Sequence, residues 1–158
     1  MNKQNTNKLI KKHRYMFDEL FRSRLIKKEQ DRLADEFSEA KIEDDEIKIA
    51  QIMEEQRQVG SYYPIAFGFE CGDGWYKLLD DLMTEIEKID TEKKVEVHQV
   101  KEKSGGLRFY AENTSNEIED IISRYMDRSY QTCEICGQPG KTNKKGWLRT
   151  ACKEHERN

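Results

Sequence analysis

The last part of this chain constrains it most. Cys133-Glu-Ile-Cys136 is followed, after fifteen residues, by Cys152-Lys-Glu-His155. Each pair sets two soft donors two residues apart, so that one tight turn aims both at a single ion. Three thiolates and an imidazole then complete a tetrahedral set for Zn²⁺. Gly137, directly after Cys136, suits the knuckle in which backbone amides approach the sulfurs. Four protein donors leave no open position, so the expected ion is one structural zinc in a zinc-ribbon-like module over residues 131–158. Trp147 and Leu148 are the only large apolar residues between the pairs, too few to fold the module by burial. Trp147 is expected to cover the metal site.

Composition matters for what surrounds that module. Charged residues make up 37% of the 158, against 35% hydrophobic, so the core is small and long helix surfaces face water. No apolar run approaches the roughly 18 residues of a membrane span. The polar start leads into charge rather than an apolar leader, and three of the four cysteines have ligand spacing, which together point to a reducing cytoplasm. The net charge of −3 is unevenly spread: +7 over residues 1–28, −7 over 29–58, −6 over 59–130 and +3 over 131–158. The net charge argues against a chain coated for nucleic acid; the acidic middle favours a protein partner, while the basic ends keep nucleic-acid binding as the alternative.

The spacing predicts an α+β protein in three parts: a helical arm over 1–60, a small α+β core over 61–130, and the metal module. Ile10, Met16, Phe17, Leu20, Phe21 and Leu25 line one side of an expected helix over 8–28. Leu33, Phe37 and Ala40 continue the pattern through an acidic stretch. A break at Asp44-Asp45 starts a further helix through Ile49, Ile52 and Met53, ended by Gly60. The opposite charges of the two halves favour a hairpin. Residues 62–70 alternate as a half-buried strand. Cys71-Gly-Asp-Gly-Trp75 then turns sharply, with Asp73 placed to cap the helix of Leu78, Leu79, Leu82, Met83, Ile86 and Ile89. Strands over 95–103 and 107–111 flank a Ser104-Gly105-Gly106 turn, and Ile118 to Met126 form a last amphipathic helix. Strand–helix–strand–strand–helix implies a parallel crossover followed by a hairpin, with helices on one face.

Three of these blocks carry a resemblance. Phe67-Gly-Phe-Glu-Cys-Gly-Asp-Gly-Trp75, Gln99-Val-Lys-Glu-Lys-Ser-Gly-Gly-Leu-Arg-Phe-Tyr110 and the Cys133–His155 module are similar to a family of short, uncharacterised phage and prophage proteins. Ser104 stands where that family's pattern carries an aromatic. The likeness covers roughly residues 64–155 and implies a phage or mobile-element setting, hence the cytoplasm of a bacterial host. It implies no activity.

Candidate chemistry is sparse. Cys71 before a helix N-terminus could serve as a nucleophile, but a base is lacking unless His98 approaches, and a buried small residue is the expected role. Glu70, Asp73 and Glu102 could hold a hard metal, although Gln99-Val-Lys101 lacks the acid a nuclease signature needs. Trp75 is expected in the core. Lys101, Lys103 and Arg108 flank the Gly105-Gly106 turn, where exposed amides and cations could receive an anion or a partner's carboxylate; otherwise Arg108 braces Glu70 or Asp73. Lys141, Lys144, Lys145 and Arg149 are the candidate phosphate contacts of the module. The expected function is therefore a non-enzymatic, zinc-stabilised accessory protein that binds a host or phage macromolecule. A protein partner is favoured over nucleic acid bound by the basic module, and both over an enzyme acting through Asp73 or Cys71.

Overall fold

Asn2 opens the first helix, α1 (Lys3–Lys12), by accepting a hydrogen bond from the Asn5 amide. In the computed structural model, which describes residues 1–58, 69–143 and 146–156 (only the backbone of 19–24, 57 and 58), this helix stops at His13. A 3₁₀ turn over Arg14–Phe17 follows, so the continuous helix expected from residue 8 to 28 is interrupted. The cause lies in packing. The His13 ring is fully buried between Asp80 and Glu87, while the tighter turn brings Met16 and Phe17 into the core. Phe17 meets Phe69 edge to face at 5.8 Å.

The chain divides into two compact units, Met1–Asp18 with Phe67–Asn158, and Glu19–Ala66. The first eighteen residues therefore belong to the α+β unit, and the expected arm over 1–60 is shorter than its periodicity implied. Periodicity reads local helix and cannot say what the helix packs on. The metal module likewise lies within the α+β unit and not beside it.

The second unit is a helical hairpin of α2 (Asp18–Ile42) and α3 (Glu46–Gln58). The break falls where the two aspartates stand: Asp44 takes a positive φ of 57° and the Asp45 carboxylate accepts the Lys48 amide at 3.0 Å. Leu33, Ala40 and Ile52 form its core, with Phe37 and Ile49 packed against them. Leu25, placed on the buried stripe by spacing, is 69% exposed.

In the first unit, β1 (Phe69–Glu70) precedes the glycine turn. The remainder of the strand expected over 62–70 lies outside the described residues, as does Gly60. After a 3₁₀ turn at Asp73–Trp75, α4 (Tyr76–Ile89) buries Leu78, Leu79, Leu82, Met83 and Ile86, the stripe read from sequence. The Asp90 carboxylate then accepts the Lys94 and Val95 amides and turns the chain into β2 (Glu96–Lys103). Ser104 and Gly105, both at positive φ (55° and 80°), make the two-residue turn to β3 (Gly106–Glu112). The sheet order is β1-β2-β3, β1 parallel to β2 and β2 antiparallel to β3. Ser115 caps α5 (Asn116–Ser129), which buries Ile118, Ile121, Ile122 and Tyr125. A short antiparallel pair, β4 (Lys141–Thr142) and β5 (Thr150–Ala151), completes the chain. Among the described residues no helix is long and apolar enough to cross a membrane.

Candidate metal centre

Cys133, Cys136, Cys152 and His155 converge: their four donor atoms all lie within 4.8 Å of one another. The Cys136 and Cys152 sulfurs are 3.7 Å apart, and His155 Nδ1 lies 3.6 Å from the Cys133 sulfur and 3.2 Å from that of Cys152. A tetrahedral ion with metal–sulfur bonds of about 2.3 Å and metal–nitrogen bonds of about 2.0 Å has edges of roughly 3.8 and 3.5 Å. The donor set therefore fits a tetrahedral, thiolate-binding ion in spacing and in chemistry.

Local sequence builds each half. The Gly137 amide donates to the Cys133 carbonyl at 2.8 Å, and Gly137 sits at a φ of 76°, so the knuckle closes where a Cβ would be strained. The second pair turns through the His155 amide, which donates to the Cys152 carbonyl at 3.0 Å. Burial pushes the Cys133 thiol up, but the amides of Cys152, Cys136 and Ile135 aimed at its sulfur outweigh that and bring it down to about 6. At Cys136 the Gln138 amide favours the thiolate, while desolvation and the neighbouring Cys133 and Cys152 sulfurs oppose it and leave the thiol raised. Thiolates so gathered repel one another until a cation is placed among them.

What fixes the knuckle is the glycine turn before α4. The Gly72 amide donates to Glu134 Oε1 and the Gly74 amide to the Glu134 carbonyl, both at 2.8 Å. A Cβ at Gly72 would stand 2.2 Å from that carbonyl oxygen, and one at Gly74 would stand 2.3 Å from the Cys133 carbonyl and 2.6 Å from the Cys136 amide. Trp75, fully buried as expected, donates from its indole Nε1 to the Thr132 carbonyl at 2.8 Å. Glu134 closes the loop by donating its own amide to the Thr150 carbonyl at 3.0 Å. The second glycine turn seats the other side of the module. The Thr150 hydroxyl donates to the Gly105 carbonyl at 2.5 Å, and a Cβ at Gly106 would enter the Tyr130 ring at 2.2 Å. The glycine blocks of the sequence are thus docking surfaces for the metal module.

Several expectations change accordingly. Asp73 does not cap its own helix; its carboxylate accepts from the Asn2 amide and side chain and from Asn5, at 2.9, 2.8 and 3.1 Å, tying α1 to the turn. The Asn2 amide holds it below the usual carboxylate range. Cys71, by contrast, is buried as expected, and desolvation pushes its thiol up to about 12, the opposite of an activated nucleophile. Trp147 does not cover the metal: it is 85% exposed. The amide of Gly105, offered above to an anion, donates to the chain's own Glu102 at 2.6 Å, and Gly105 and Gly106 are buried. Arg108 donates to the Leu107 carbonyl and the Tyr130 hydroxyl rather than to Glu70 or Asp73. It does lie directly across from Lys101 in the β2–β3 register. Lys141 faces Glu156 at 3.7 Å and Arg149 faces Glu134 at 4.0 Å; Lys144 and Lys145 lie outside the described residues.

Sequence reasoning missed Glu134 and His13. Glu134 sits inside the C-x2-C spacing, where any residue satisfies the ligand pattern, so nothing marked its clamp role. The signal for His13 was an imidazole on an otherwise apolar stripe, legible only once Asp80 and Glu87 face it from α4. Comparison with protein-family models, with curated proteins and with solved structures finds no match to this chain.

Proposed function

We propose that this is a non-enzymatic accessory protein in which one structural zinc staples the C-terminal module to the sheet. Its partner, in this reading, is a host or phage protein engaged by the helical hairpin. The closed set of four donors supports the structural role, since such a site offers no open position to a substrate. A zinc-ribbon-like description suits two short ligand turns, one within the Thr132–Pro139 bridge and one directly after β5. The phage setting rests on the resemblance of the glycine and cysteine blocks.

The observation that carries the binding role is where large apolar side chains meet water. Among the described residues of the hairpin unit, Leu25, Ile42, Ile47 and Met53 are 69, 85, 76 and 46% exposed. Ile42 and Ile47 flank the bend, one at the end of α2 and one at the start of α3, and large apolar side chains left in water mark candidate interaction surfaces. The acidic composition of residues 29–58 favours a partner with a basic rim. Capture from infected host cells, with and without nuclease treatment, tests this. The Ile42→Ser, Ile47→Ser double variant should lose a nuclease-resistant protein partner while its helix content stays. Retention of that partner by the double variant removes the hairpin as the site.

A further inference from the structure

The remaining exposed large apolar residues, Tyr110, Trp147 and Leu148, belong to the other unit, and they gather around cations. Residues paired across a β-ladder share a face. The register pairs Gln99 with Tyr110 and Lys101 with Arg108, and Lys101 also pairs with Glu70 of β1. Val100 and Phe109, paired on the other face, are buried. One face of the sheet therefore presents Tyr110, Lys101, Arg108 and Lys103 to solvent or near it, with Glu70 as their acidic neighbour. Lys101 Nζ lies 5.5 Å from the Tyr110 ring centroid, and Tyr110 is 46% exposed. Arg108 spends one nitrogen on Leu107 and Tyr130 and keeps the rest of its fork. Glu102, the other acid nearby, is committed through Oε1 to the Gly105 amide.

At the turn end this face runs into a cleft of about 520 Å³ lined by Lys101, Glu102, Lys103, Ser104, Trp147 and Leu148. Trp147 reaches it from the hairpin between β4 and β5. Gly146 before it adopts a φ of 70°, and a Cβ there would meet nothing within 4 Å, so this glycine serves the bend of a projecting tip and not a close approach. An indole held 85% in water beside two lysines lacks a folding role. A row of cations between two exposed aromatic rings matches a strand whose charges are regularly spaced and whose bases are unstacked. Paired bases could not reach the rings. An acidic peptide would satisfy the lysines and leave the indole without a face to stack on.

From this we infer that the sheet face and the Trp147 cleft form a binding site for single-stranded nucleic acid, with Trp147 and Tyr110 as stacking platforms and Lys101, Lys103 and Arg108 as phosphate contacts. The site shares no residue with the hairpin surface. It also differs from the basic module read from sequence, whose Lys141 and Arg149 already face Glu156 and Glu134.

The test is fluorescence and anisotropy titration of the full, zinc-loaded chain with labelled dT20, rU20, a 20-base-pair duplex and poly-L-glutamate. Trp75 is buried with its indole bonded to Thr132, so quenching reports Trp147. The single strands should quench it and bind more tightly than the duplex; dT20 against rU20 then tells DNA from RNA. Three phosphate contacts give a log–log salt slope near −2, and Lys101→Ala with Lys103→Ala should flatten it by about 1.4. Trp147→Ala should weaken single-strand binding about 5- to 150-fold, with Trp147→Phe intermediate and the melting temperature of both unchanged. Single-strand affinity that survives Trp147→Ala, or no single-strand binding at all, overturns the inference. Equal quenching by poly-L-glutamate overturns it in favour of an acidic protein segment. The Ile42→Ser, Ile47→Ser variant should bind dT20 normally, which keeps this result independent of the hairpin's partner.

Discussion

Each of the two units of this protein is held together internally by a different means. The helical hairpin relies on side chains: Leu33, Ala40 and Ile52 pack along two helices, with Phe37 and Ile49 against them. The α+β unit adds to the buried stripes of α4 and α5 a backbone brought close enough to touch. At Gly72, Gly74 and Gly106 any side chain beyond hydrogen would collide with the segment opposite. Side-chain packing tolerates substitution of similar volume, whereas backbone contact tolerates none. The hairpin is thus plastic in sequence and the α+β unit is rigid, as a support for four metal donors must be.

The largest expected effect would break this contrast if it spread to both units. Metal analysis should find one zinc per chain in the parent, and Cys136→Ser, or treatment with a chelator, should abolish it. The loss of local folding energy is on the order of 10 kcal/mol. Amide exchange should then rise through residues 131–156 and at Gly72 and Gly74, whose amides bond Glu134. The hairpin amides should stay protected. Full zinc occupancy after any two ligands are replaced would contradict a four-donor site.

Next come two single substitutions that set the modes side by side. Gly74→Ala places a Cβ against the Cys133 carbonyl and two knuckle amides, none of which can move without moving a ligand. We expect about 3 kcal/mol of destabilisation with weakened zinc retention under competition by a chelator. Leu33→Ala removes a fully buried side chain from a core with few others. It should cost about 2–4 kcal/mol, confined to the hairpin and without effect on zinc. If zinc retention responds equally to both, the units are coupled and the contrast fails.

Acid should act on the α+β unit through Asp73. Its carboxyl is held low by the Asn2 amide and further by the Asn5 and Asn2 side chains. A folded value below the unfolded one contributes stability that is present above the ordinary carboxylate range and lost as pH falls through the folded value. The Asn2 and Asn5 resonances should therefore shift together below about pH 4, and Asp73→Asn should show the same release at neutral pH. Unchanged resonances in Asp73→Asn would mean that Asp73 does not hold α1, which then rests on Leu9, Ile10, His13 and the Lys12–Asp80 pair.

Legibility in the sequence followed the same division of means. Helices α4 and α5, the β2–β3 hairpin and the four donors were readable because each is a local pattern: a stripe of period 3.6, an alternation around a turn, a ligand spacing. The break at Asp44-Asp45 was readable for the same reason. The interruption at His13 was not, because its cause is Asp80 and Glu87, some seventy residues away in the chain. The glycines were visible as turns but not as docking points, since close approach is a property of two segments and each shows only its own residues. Trp147 was misjudged by the habit of placing a large aromatic over a metal. Nothing in residues 146–148 themselves says which way the tip projects.

The smallest expected effect sharpens what charge does in the hairpin. Arg32 gathers three carboxylates, Glu29 at 2.6 Å, Glu36 at 2.5 Å and Glu55 at 3.4 Å, and only Glu55 lies on the opposite helix. Glu29 and Glu36 raise the guanidinium further above its already high value, so it stays charged at every pH of interest. Yet Arg32 is 44% exposed, and solvent and salt screen each of these pairs. Arg32→Ala should therefore leave the hairpin's melting temperature almost unchanged at physiological salt. At low salt the three acids are left facing one another, and the variant should gain stability as salt is added while the parent does not. If the variant melts far lower at both salt concentrations, the thin apolar core is not what joins the two helices, and the contrast between packed side chains and touching backbone would have to be redrawn around this one arginine.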